Sequence, residues 1–406
     1  MNIRRSLIFA SLFMGCGCVF DGAAIADAPV PEGMQFRRVD PRQVWSAVWP
    51  AIAEGRRPEL ATQLVALFTE DDPQRPRNGW YQSGSSTLGW NALAAWADRD
   101  RNSAITRAEF STIGSPEHWE RLDRDADGLI EASDFDWSTH SSHVLEEKRI
   151  NTRFLEVDRN TDGRISRDEW NAWFSSSSAG DGSVSVAEFR ELLTLDPEPK
   201  QRFSLYYRWN RAKSTMQGDL GSMFEGPKVG ELAPNFTLKT HDGSASQPII
   251  DPSDRRPTVL IFGNFTCPNF RSHSGIAAEL HQRYSDRVRF VGIYVREAHP
   301  TDGWSTRRNA KSGIQITQPV TFEERRAIAE RCRTTLALPM PLLVDELDDR
   351  AGNGYSAMPD RLYLLDADGR VVFKGGRGPF GFQPAELEQI LVLHLIERGR
   401  ASNATE

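Results

Sequence analysis

The sequence predicts a multidomain protein in which an α-helical module with repeated acidic loops is followed by an α/β domain. Two observations lead to this prediction. Asp-rich segments of a fixed twelve-residue length recur between residues 88 and 196, flanked by helical apolar patterns. Beyond residue 228, short apolar runs typical of strands alternate with helical patterns, as in α/β domains. The length of 406 residues agrees with two or three domains.

The composition is that of a globular protein, with 39% hydrophobic and 26% charged residues. The formal net charge is −7 at pH 7. Nucleic-acid-binding proteins usually carry a basic surface, so this charge gives no electrostatic support to such a role. We therefore expect no nucleic-acid partner.

Residues 1–26 have the features of an export signal. Two arginines form a positive start, Leu7–Phe13 is apolar, and Ala24–Ala26 supplies an A-x-A cleavage motif. We expect export to the periplasm or the extracellular space. Lipoprotein anchoring through Cys16 or Cys18 and retention as an uncleaved anchor are the alternatives.

The next segment, residues 27–87, is predicted to be helical. Its apolar residues recur at spacings of three and four over Pro41–Ile52 and Pro58–Thr69. Residues 197–227 predict a connecting helix and a Gly-rich linker between the acidic repeats and the α/β domain, which we place at residues 228–400. We find no candidate chemistry in these segments.

The first acidic loop, residues 98–109, places oxygen-bearing side chains at positions 1, 3, 5, 9 and 12 and an apolar residue, Ile105, at position 8. This is the spacing of the EF-hand calcium loop, in which the carboxylate at position 12 closes the coordination sphere. We expect Ile105 to pair with its partner loop as a short strand. The second loop is residues 123–134, the third is 158–169, and a degenerate fourth is 177–188. The predicted metal ligands are Asp98, Asp100, Asn102, Thr106 and Glu109, then Asp123, Asp125, Asp127 and Asp134, then Asp158, Asn160, Asp162, Ser166 and Glu169, and finally Asp181 and Glu188.

Departures from the consensus rank these loops. The third loop fits completely and is predicted to bind calcium most tightly. Ser103 of the first loop stands where the sharp turn favours glycine. Asp134 of the second loop is one methylene short, which makes magnesium more competitive, and the fourth loop is predicted to be weak or empty. An exported module meets abundant calcium, so a structural role is favoured over a sensor role. We expect the aromatic residues after position 12, including Trp170 and Phe189, to lie in the core.

The central stretch of the α/β domain is Arg256–Phe270. It predicts a buried strand that stops at Gly263 and a tight loop that delivers Cys267 to the start of a helix, with Pro268 in the first turn. Unpaired N–H groups and the positive end of the helix dipole are expected to lower the pKa of this thiol. The alternative is a small, buried, unreactive cysteine.

The remaining elements follow the thioredoxin order. Strands are predicted at Arg289–Val295, Leu342–Val344, Arg361–Leu365 and Val371–Lys374, and helices at Thr321–Leu336 and Pro384–Glu397. Met358-Pro359 stands where thioredoxin folds carry a cis-proline against the reactive cysteine. A trans turn is the alternative.

Four motifs between residues 228 and 397 resemble the iodothyronine deiodinases: RPTVLIFGNFTCPNF at 256–270, EAHPTDGW at 297–304, DRLY at 360–363 and GGRGP at 375–379. In that family the attacking residue is a selenocysteine, and Cys267 occupies its place. The resemblance implies a thioredoxin-like fold and an oxidoreductase activity. It implies catalytic roles for Cys267, His299, Glu297 and Thr266 and substrate-binding roles for Arg377, Tyr294 and Pro359.

These residue types suit reductive dehalogenation. A thiolate can attack the iodine of an aryl iodide while His299, held by Glu297, protonates the ring carbon. Arg377 would clamp a substrate carboxylate or phenolate, and the Thr266 hydroxyl would bond the sulfur. The expected cofactors are calcium and an external thiol reductant. The expected partner is an iodinated phenol or another small aromatic substrate, and a homodimer is left open.

Two other functions stay open at this point. One is a peroxiredoxin-like peroxide or thiol–disulfide oxidoreductase that uses the same cysteine, and the other is a non-catalytic calcium-binding interaction protein. Phe265 stands where some family members carry a second cysteine, so Cys332 is the remaining candidate for resolving Cys267.

Overall fold

The computed structural model describes residues 84–138, 141–177, 182–193, 212, 214, 225–379 and 381–403. The predicted export signal, the helical patterns at 41–52 and 58–69 and most of the segment 197–227 lie outside these residues. Residues 81–197 and 226–406 form one compact unit, to which the following description applies. Among the helices that the structure describes, none is both long and apolar enough to cross a bilayer.

The first part of this unit opens with strand β1 (Ser85–Ser86) and is otherwise mostly helical. Its helices are α1 (Trp90–Ala97), α2 (Arg107–Phe110), α3 (Pro116–Leu122), α4 (Ser142–Val157), α5 (Arg167–Ser177) and α6 (Val186–Leu193). Helices α1, α3 and α4 each end directly before an acidic loop, whose first residue is the C-cap of the helix. Strands β2 (Ile105–Thr106) and β3 (Leu129–Ile130) pair with Ile105 opposite Ile130, which confirms the predicted pairing of the first two loops.

The aromatic residues of this region divide between core and surface. The buried Phe110 packs edge-on against Trp119, with the ring centroids 5.5 Å apart. The expectation of a core position is wrong for Trp170 and Phe189, which are 49% and 51% exposed. Trp170 instead lies against Trp173, three residues along the same helix, at a centroid distance of 5.3 Å.

The second part is an α/β layer. Its strands are β4 (Thr237–Thr240), β5 (Ser246–Pro248), β6 (Thr258–Gly263), β7 (Arg289–Tyr294), β8 (Leu342–Val344), β9 (Arg361–Leu365) and β10 (Val371–Lys374). Its helices are α7 (Pro268–Ser272), α8 (Ser274–Tyr284), α9 (Arg307–Lys311), α10 (Phe322–Thr335), α11 (Arg350–Gly354) and α12 (Pro384–Asn403). The predicted strands after residue 257 are confirmed within one residue at each end, and the last helix is longer than predicted.

The eight-stranded sheet has the order β1-β10-β9-β6-β7-β8-β4-β5. Strands β6, β7 and β8 are parallel, β9 runs antiparallel to β6, and β10 pairs antiparallel with β9. All six residues of β6 are buried, which agrees with their apolar, β-branched character. The parallel register brings Gly263 beside Tyr294, so the segments that follow these two strands leave the same edge of the sheet.

Strand β1 corrects one prediction. Residues 85 and 86 fall in the segment expected to be helical, yet they pair with β10, opposite Lys374 and Phe373. The Ser86 hydroxyl donates to the carbonyl of Val372 at 2.8 Å. The edge of β10 offers this short polar segment hydrogen-bond partners that a local helical pattern does not reveal.

Candidate active site and acidic loops

Cys267 lies at the carboxyl edge of the sheet, where the sequence predicts it. Strand β6 ends at Gly263, and Cys267 is the N-cap residue of α7 with Pro268 in the first turn. A side chain on Gly263 would overlap the ring of Phe270, so glycine is required for Phe270 to pack against the end of β6. The thiol is only 2% exposed.

The expected thiolate is not what this environment favours. Burial raises the pKa of Cys267 well above its usual value, and the nearby carboxyl of Asp360 adds to this effect. The backbone N–H groups of Phe270 and Asn269 act in the opposite direction and are outweighed. Helix α7 has five residues, so desolvation of the sulfur exceeds the stabilisation that its N-terminus provides.

Asp360 is an acid–base partner of the thiol, a role that was not predicted from the sequence. The Cys267 Sγ donates to Asp360 Oδ2 at 3.5 Å, and Asn269 Nδ2 donates to the same oxygen at 2.6 Å. Burial raises the pKa of Asp360 to about 7. Its position directly after Pro359 was the available signal, because the Met358–Pro359 bond is cis, as predicted for a residue next to the cysteine.

Glu297 and Tyr294 hold the backbone that precedes the cysteine. Glu297 Oε2 accepts a hydrogen bond from the backbone N–H of Thr266 at 2.9 Å, and Glu297 Oε1 accepts one from the Tyr294 hydroxyl. That hydroxyl accepts from the N–H of Phe265 at 3.1 Å. Burial raises the pKa of both Glu297 and Tyr294. Tyr294 is fully buried, so its predicted contact with substrate is corrected to a role in holding this loop.

The Thr266 hydroxyl bonds differently from the prediction. It donates to Asn264 Oδ1 at 3.1 Å and accepts from the backbone N–H of His299 at 3.0 Å. Because a hydroxyl has a single proton, Thr266 does not donate to the sulfur in this arrangement. Asn264 also donates from Nδ2 to the carbonyl of Pro359 at 2.9 Å. This hydrogen bond links residues 264–267, which we call the cysteine loop, to the cis-proline.

His299 follows β7 and is half-buried. Its Nδ1 lies 2.9 Å from the carbonyl of Trp304, so the network assigns the ring proton to Nδ1. A neutral ring of this tautomer carries its acceptor lone pair on Nε2. The backbone of His299 is joined to the cysteine loop through Thr266 and through Asn309 Nδ2, which donates to the carbonyl of Thr266 at 2.8 Å.

Arg377 is the central residue of the GGRGP turn at 375–379. It is fully buried, and its Nε donates to the carbonyl of Ser356 at 3.0 Å. The predicted substrate clamp is therefore corrected, because here the guanidinium holds the protein backbone. The turn that carries it packs against Asp360, whose carbonyl accepts from the N–H of Gly378 at 3.1 Å. Cys332 on α10 is buried, and neither it nor Cys267 forms a disulfide among the described residues.

The three complete acidic loops have the backbone that the EF-hand pattern predicts. Their fourth and sixth residues adopt positive φ angles, including +68° at Ser103, where the sequence lacks the favoured glycine. In the third loop, Asp158 accepts from the N–H of Asp162 at 3.1 Å and of Gly163 at 3.0 Å. Glu169 reaches back to the N–H of Arg159 at 3.0 Å.

The carboxylates of the first two loops converge as a calcium site requires. Oxygens of Asp98, Asp100 and Glu109 lie within 4.8 Å of one another, as do those of Asp123, Asp125 and Asp127. Asp123 Oδ1 is buried with no hydrogen-bond partner among the described residues, and burial together with neighbouring carboxylates raises the pKa of Asp134 and Asp158. An all-oxygen donor set with unrelieved repulsion fits calcium.

The other predicted ligands bond within their own loops. Asn102 and Asn160 donate to Asp100 and Asp162, while Thr106 and Ser166 donate to Glu109 and Glu169. In the fourth loop Glu188 accepts from the N–H of Ser185 at 2.7 Å, and Asp181 lies outside the described residues. His143 of α4 was not predicted as a ligand, and its ring lies within 4.8 Å of carboxylate oxygens of Asp125 and Asp134.

The sequence matches two protein families. The profile of iodothyronine deiodinase matches residues 199–394, and that of the EF hand matches residues 150–175, which include the third loop. Thyroxine 5-deiodinase of Ovis aries is 31% identical over 246 residues, which cover 60% of this chain and 74% of that protein. The Homo sapiens thyroxine 5-deiodinase is 35% identical over 176 residues, 43% of this chain and 56% of that protein.

Solved structures overlap with this chain only in part. A thiol-disulfide oxidoreductase from Bacteroides fragilis has 14% sequence identity and a TM-score of 0.28. The matched region covers 40% of this chain and 97% of that protein. A secreted disulfide oxidoreductase of Mycobacterium tuberculosis has 17% identity and a TM-score of 0.27, with 38% and 94% covered. The fold is defined instead by the strand order given above.

Proposed function

Because this chain belongs to the iodothyronine deiodinase family and is an oxidoreductase, we propose that it removes iodine reductively from an iodinated aromatic substrate through Cys267. The observation that supports this most directly is the set of contacts around the sulfur. One face of Cys267 meets a carboxyl group that titrates near neutrality, and the loop that carries it is fixed by Glu297 and Tyr294. A buried loop held in this way presents one sulfur in one geometry.

The first step is formation of the nucleophile. Asp360 Oδ2 accepts the thiol proton, over the 3.5 Å hydrogen bond that already joins the two groups. The thiolate then attacks iodine, and the electron pair of the carbon–iodine bond passes to the ring carbon. That carbon takes a proton from His299, whose Nε2 has first been protonated from solvent, and the products are a sulfenyl iodide on Cys267 and the deiodinated aromatic. The proton taken by Asp360 is released to solvent.

The second step regenerates the thiol. A thiol of the external reductant attacks the sulfur and displaces iodide, and a second reductant thiol releases Cys267 as the reductant becomes a disulfide. Two thiols are thereby oxidised for each iodide released. Cys332 is the internal candidate for the second thiol; its attack on the Cys267 sulfur would expel the first reductant thiol and leave a Cys267–Cys332 disulfide that a dithiol reduces.

We further propose that the three complete loops bind calcium, with the third loop the tightest, and that the enzyme works outside the cytoplasm. The convergent carboxylates of the first two loops and the EF-hand match over the third loop support the first proposal, and the segment 1–26 supports the second. Ligand oxygens would come from Asp158, Asp162 and Glu169 in the third loop. Their bound cation would fix the loop and neutralise its charge.

The test is iodide release from iodinated phenols in excess dithiol, with wild type, Cys267→Ser and Cys332→Ser compared. We expect Cys267→Ser to abolish release and Cys332→Ser to retain it when external dithiol is in excess. Equal release by wild type and Cys267→Ser would contradict the proposal. Peroxide consumption that depends on Cys267 without iodide release would select a peroxide reductase, and the absence of both activities in wild type would favour the non-catalytic function.

A further inference from the structure

The third acidic loop packs directly on the helices that follow the reactive cysteine. The backbone of Gly163 lies so close to the carbonyl of Arg271 and the hydroxyl of Ser274 that a Cβ there would overlap both. The Ser274 hydroxyl also lies within hydrogen-bonding distance of the carbonyl of Asp162, at 3.3 Å. The loop and the α7–α8 junction are therefore in backbone contact, which a small shift of either one would disrupt.

One buried side chain, Arg271, joins this loop to the cysteine loop. It is fully buried, four residues after Cys267. Its Nε donates to the carbonyl and the hydroxyl of Thr161, the fourth residue of the acidic loop, at 3.1 and 3.0 Å. Its Nη1 donates to the carbonyl of Phe265, two residues before the thiol.

The same guanidinium also reaches the segment that carries His299. Arg271 Nη2 donates to Asn309 Oδ1 at 2.9 Å. The Asn309 amide nitrogen then donates to the carbonyl of Thr266 at 2.8 Å and lies 3.5 Å from the carbonyl of His299. The Arg271 guanidinium thus connects the third acidic loop with both the Cys267 segment and the His299 segment.

The physical reason for coupling is the cost of burying this charge. Burial lowers the pKa of Arg271 to about 10, so the group is still protonated at neutral pH and needs all its acceptors. Two of them belong to Thr161. If the third acidic loop moves, the buried guanidinium of Arg271 loses these two acceptors. Arg271 then no longer holds the carbonyl of Phe265 in the cysteine loop in a fixed position. The loop carboxylates repel one another, and a bound cation removes that repulsion.

We infer that Arg271 is a positioning residue that couples cation occupancy of the third loop to the geometry of the Cys267 and His299 segments. Calcium is the cation that its oxygen donors fit. The inference rests on the proposed function only in taking Cys267 as the reactive group. It adds a regulatory consequence to a loop for which the sequence favoured a purely structural role.

The test measures alkylation of Cys267 by iodoacetamide, followed by peptide mass spectrometry, in calcium and in chelator. Calcium is expected to slow alkylation of the full-length protein about tenfold, within the range typical of coupled sites. Glu169→Gln is expected to abolish this response. The matched variant Glu109→Gln changes the equivalent residue of the first loop and is expected to keep it.

Arg271→Lys provides the second arm. A lysine ammonium cannot span Thr161, Phe265 and Asn309 together, so calcium should still bind while its effect on alkylation disappears. Alkylation of wild-type Cys267 should also change the calcium affinity of the third loop, measured by calorimetry, although a rate ratio does not fix the size of this change. An unchanged alkylation rate in calcium for wild type, or a retained response in Arg271→Lys, would overturn the inference. No iodinated substrate is present, so this outcome is independent of the dehalogenation assay.

Discussion

The second and third acidic loops share a motif but pack against different parts of the protein. The third loop contacts the cysteine helix through Gly163 and Arg271. The second loop contacts the terminal helix α12, where Gln389 Nε2 donates to the carbonyl of Asp134 at 3.0 Å and Gln389 Oε1 accepts from Trp137 Nε1 at 2.9 Å. The same loop pattern can therefore contact either the segment that carries the reactive cysteine or the rest of the scaffold. Which of the two it contacts depends on the helix against which the loop packs.

The sixth residue of each loop gives the sharpest test of this difference. Gly163 and Gly128 both have positive φ angles, +81° and +92°, but only Gly163 has neighbours within reach of an added Cβ. Gly128→Ala is expected to cost about 1 kcal/mol, the backbone penalty alone. Gly163→Ala should reduce the free energy of unfolding by roughly 2–4 kcal/mol, because the loop must also move off α7.

Urea unfolding in excess calcium measures both variants. A matched loss in the two proteins would contradict the distinction between the loops. Cys267 alkylation adds a second readout, which should change in Gly163→Ala and stay at the wild-type rate in Gly128→Ala.

Two buried carboxyl groups extend the comparison to pH. Glu386 on α12, near Arg124 of the second loop, has its pKa raised by burial to about 7. A raised native pKa means that the folded protein binds the proton more tightly than the unfolded chain. Its stabilising contribution is therefore complete below about pH 4.5 and is lost as pH rises to about 7. The difference from 4.5 corresponds to about 3 kcal/mol, and Glu386→Gln should remove this part of the pH dependence.

The measurement is the free energy of unfolding from pH 4.5 to 8 in wild type and Glu386→Gln. Parallel curves for the two proteins would show that Glu386 does not titrate in this range. The rate of Cys267 alkylation should be unaffected by the substitution at every pH.

Asp360 is the counterpart on the cysteine side, with its pKa raised by burial to about 7. Because its carboxyl contacts the thiol, its titration should appear as an inflection near pH 7 in the rate of Cys267 alkylation. Asp360→Asn is expected to remove this inflection and change the rate above pH 7 several-fold. Glu386→Gln serves as the control that retains it, and an inflection that survives in Asp360→Asn would assign the titration to another group.

The sequence was sufficient wherever a feature depends on neighbours in the chain. The apolar run of β6, the Pro268 start of α7, the spacing of the acidic loops and the Ile105–Ile130 pairing are all local or repeat-based, and the structure confirms them. The predicted position of the cis-proline is confirmed as well.

What the sequence could not supply depends on burial and on contacts between distant residues. The pKa direction at Cys267 was wrong because the depth of the thiol is set by packing of the whole sheet. Asp360 and Arg271 were missed because their partners lie 93 and 110 positions away. The Thr266 hydroxyl was misassigned because Asn264 competes for its proton, which only the folded loop reveals.

Strand β1 has a practical consequence for dissecting this protein. Strand β1 forms one edge of the sheet and comes from residues that precede all the acidic loops. The backbone N–H of Gly84, next to this strand, donates to the carboxyl group of buried Glu386 at 2.8 Å. A fragment cut at residue 228 would leave the N–H and C=O groups of β10 open to strand addition by another molecule. Self-association of such a fragment would then result from the missing β1 strand. A shortened protein that lacks the acidic loops should therefore keep Ser85–Ser86, joined by a linker to the α/β domain.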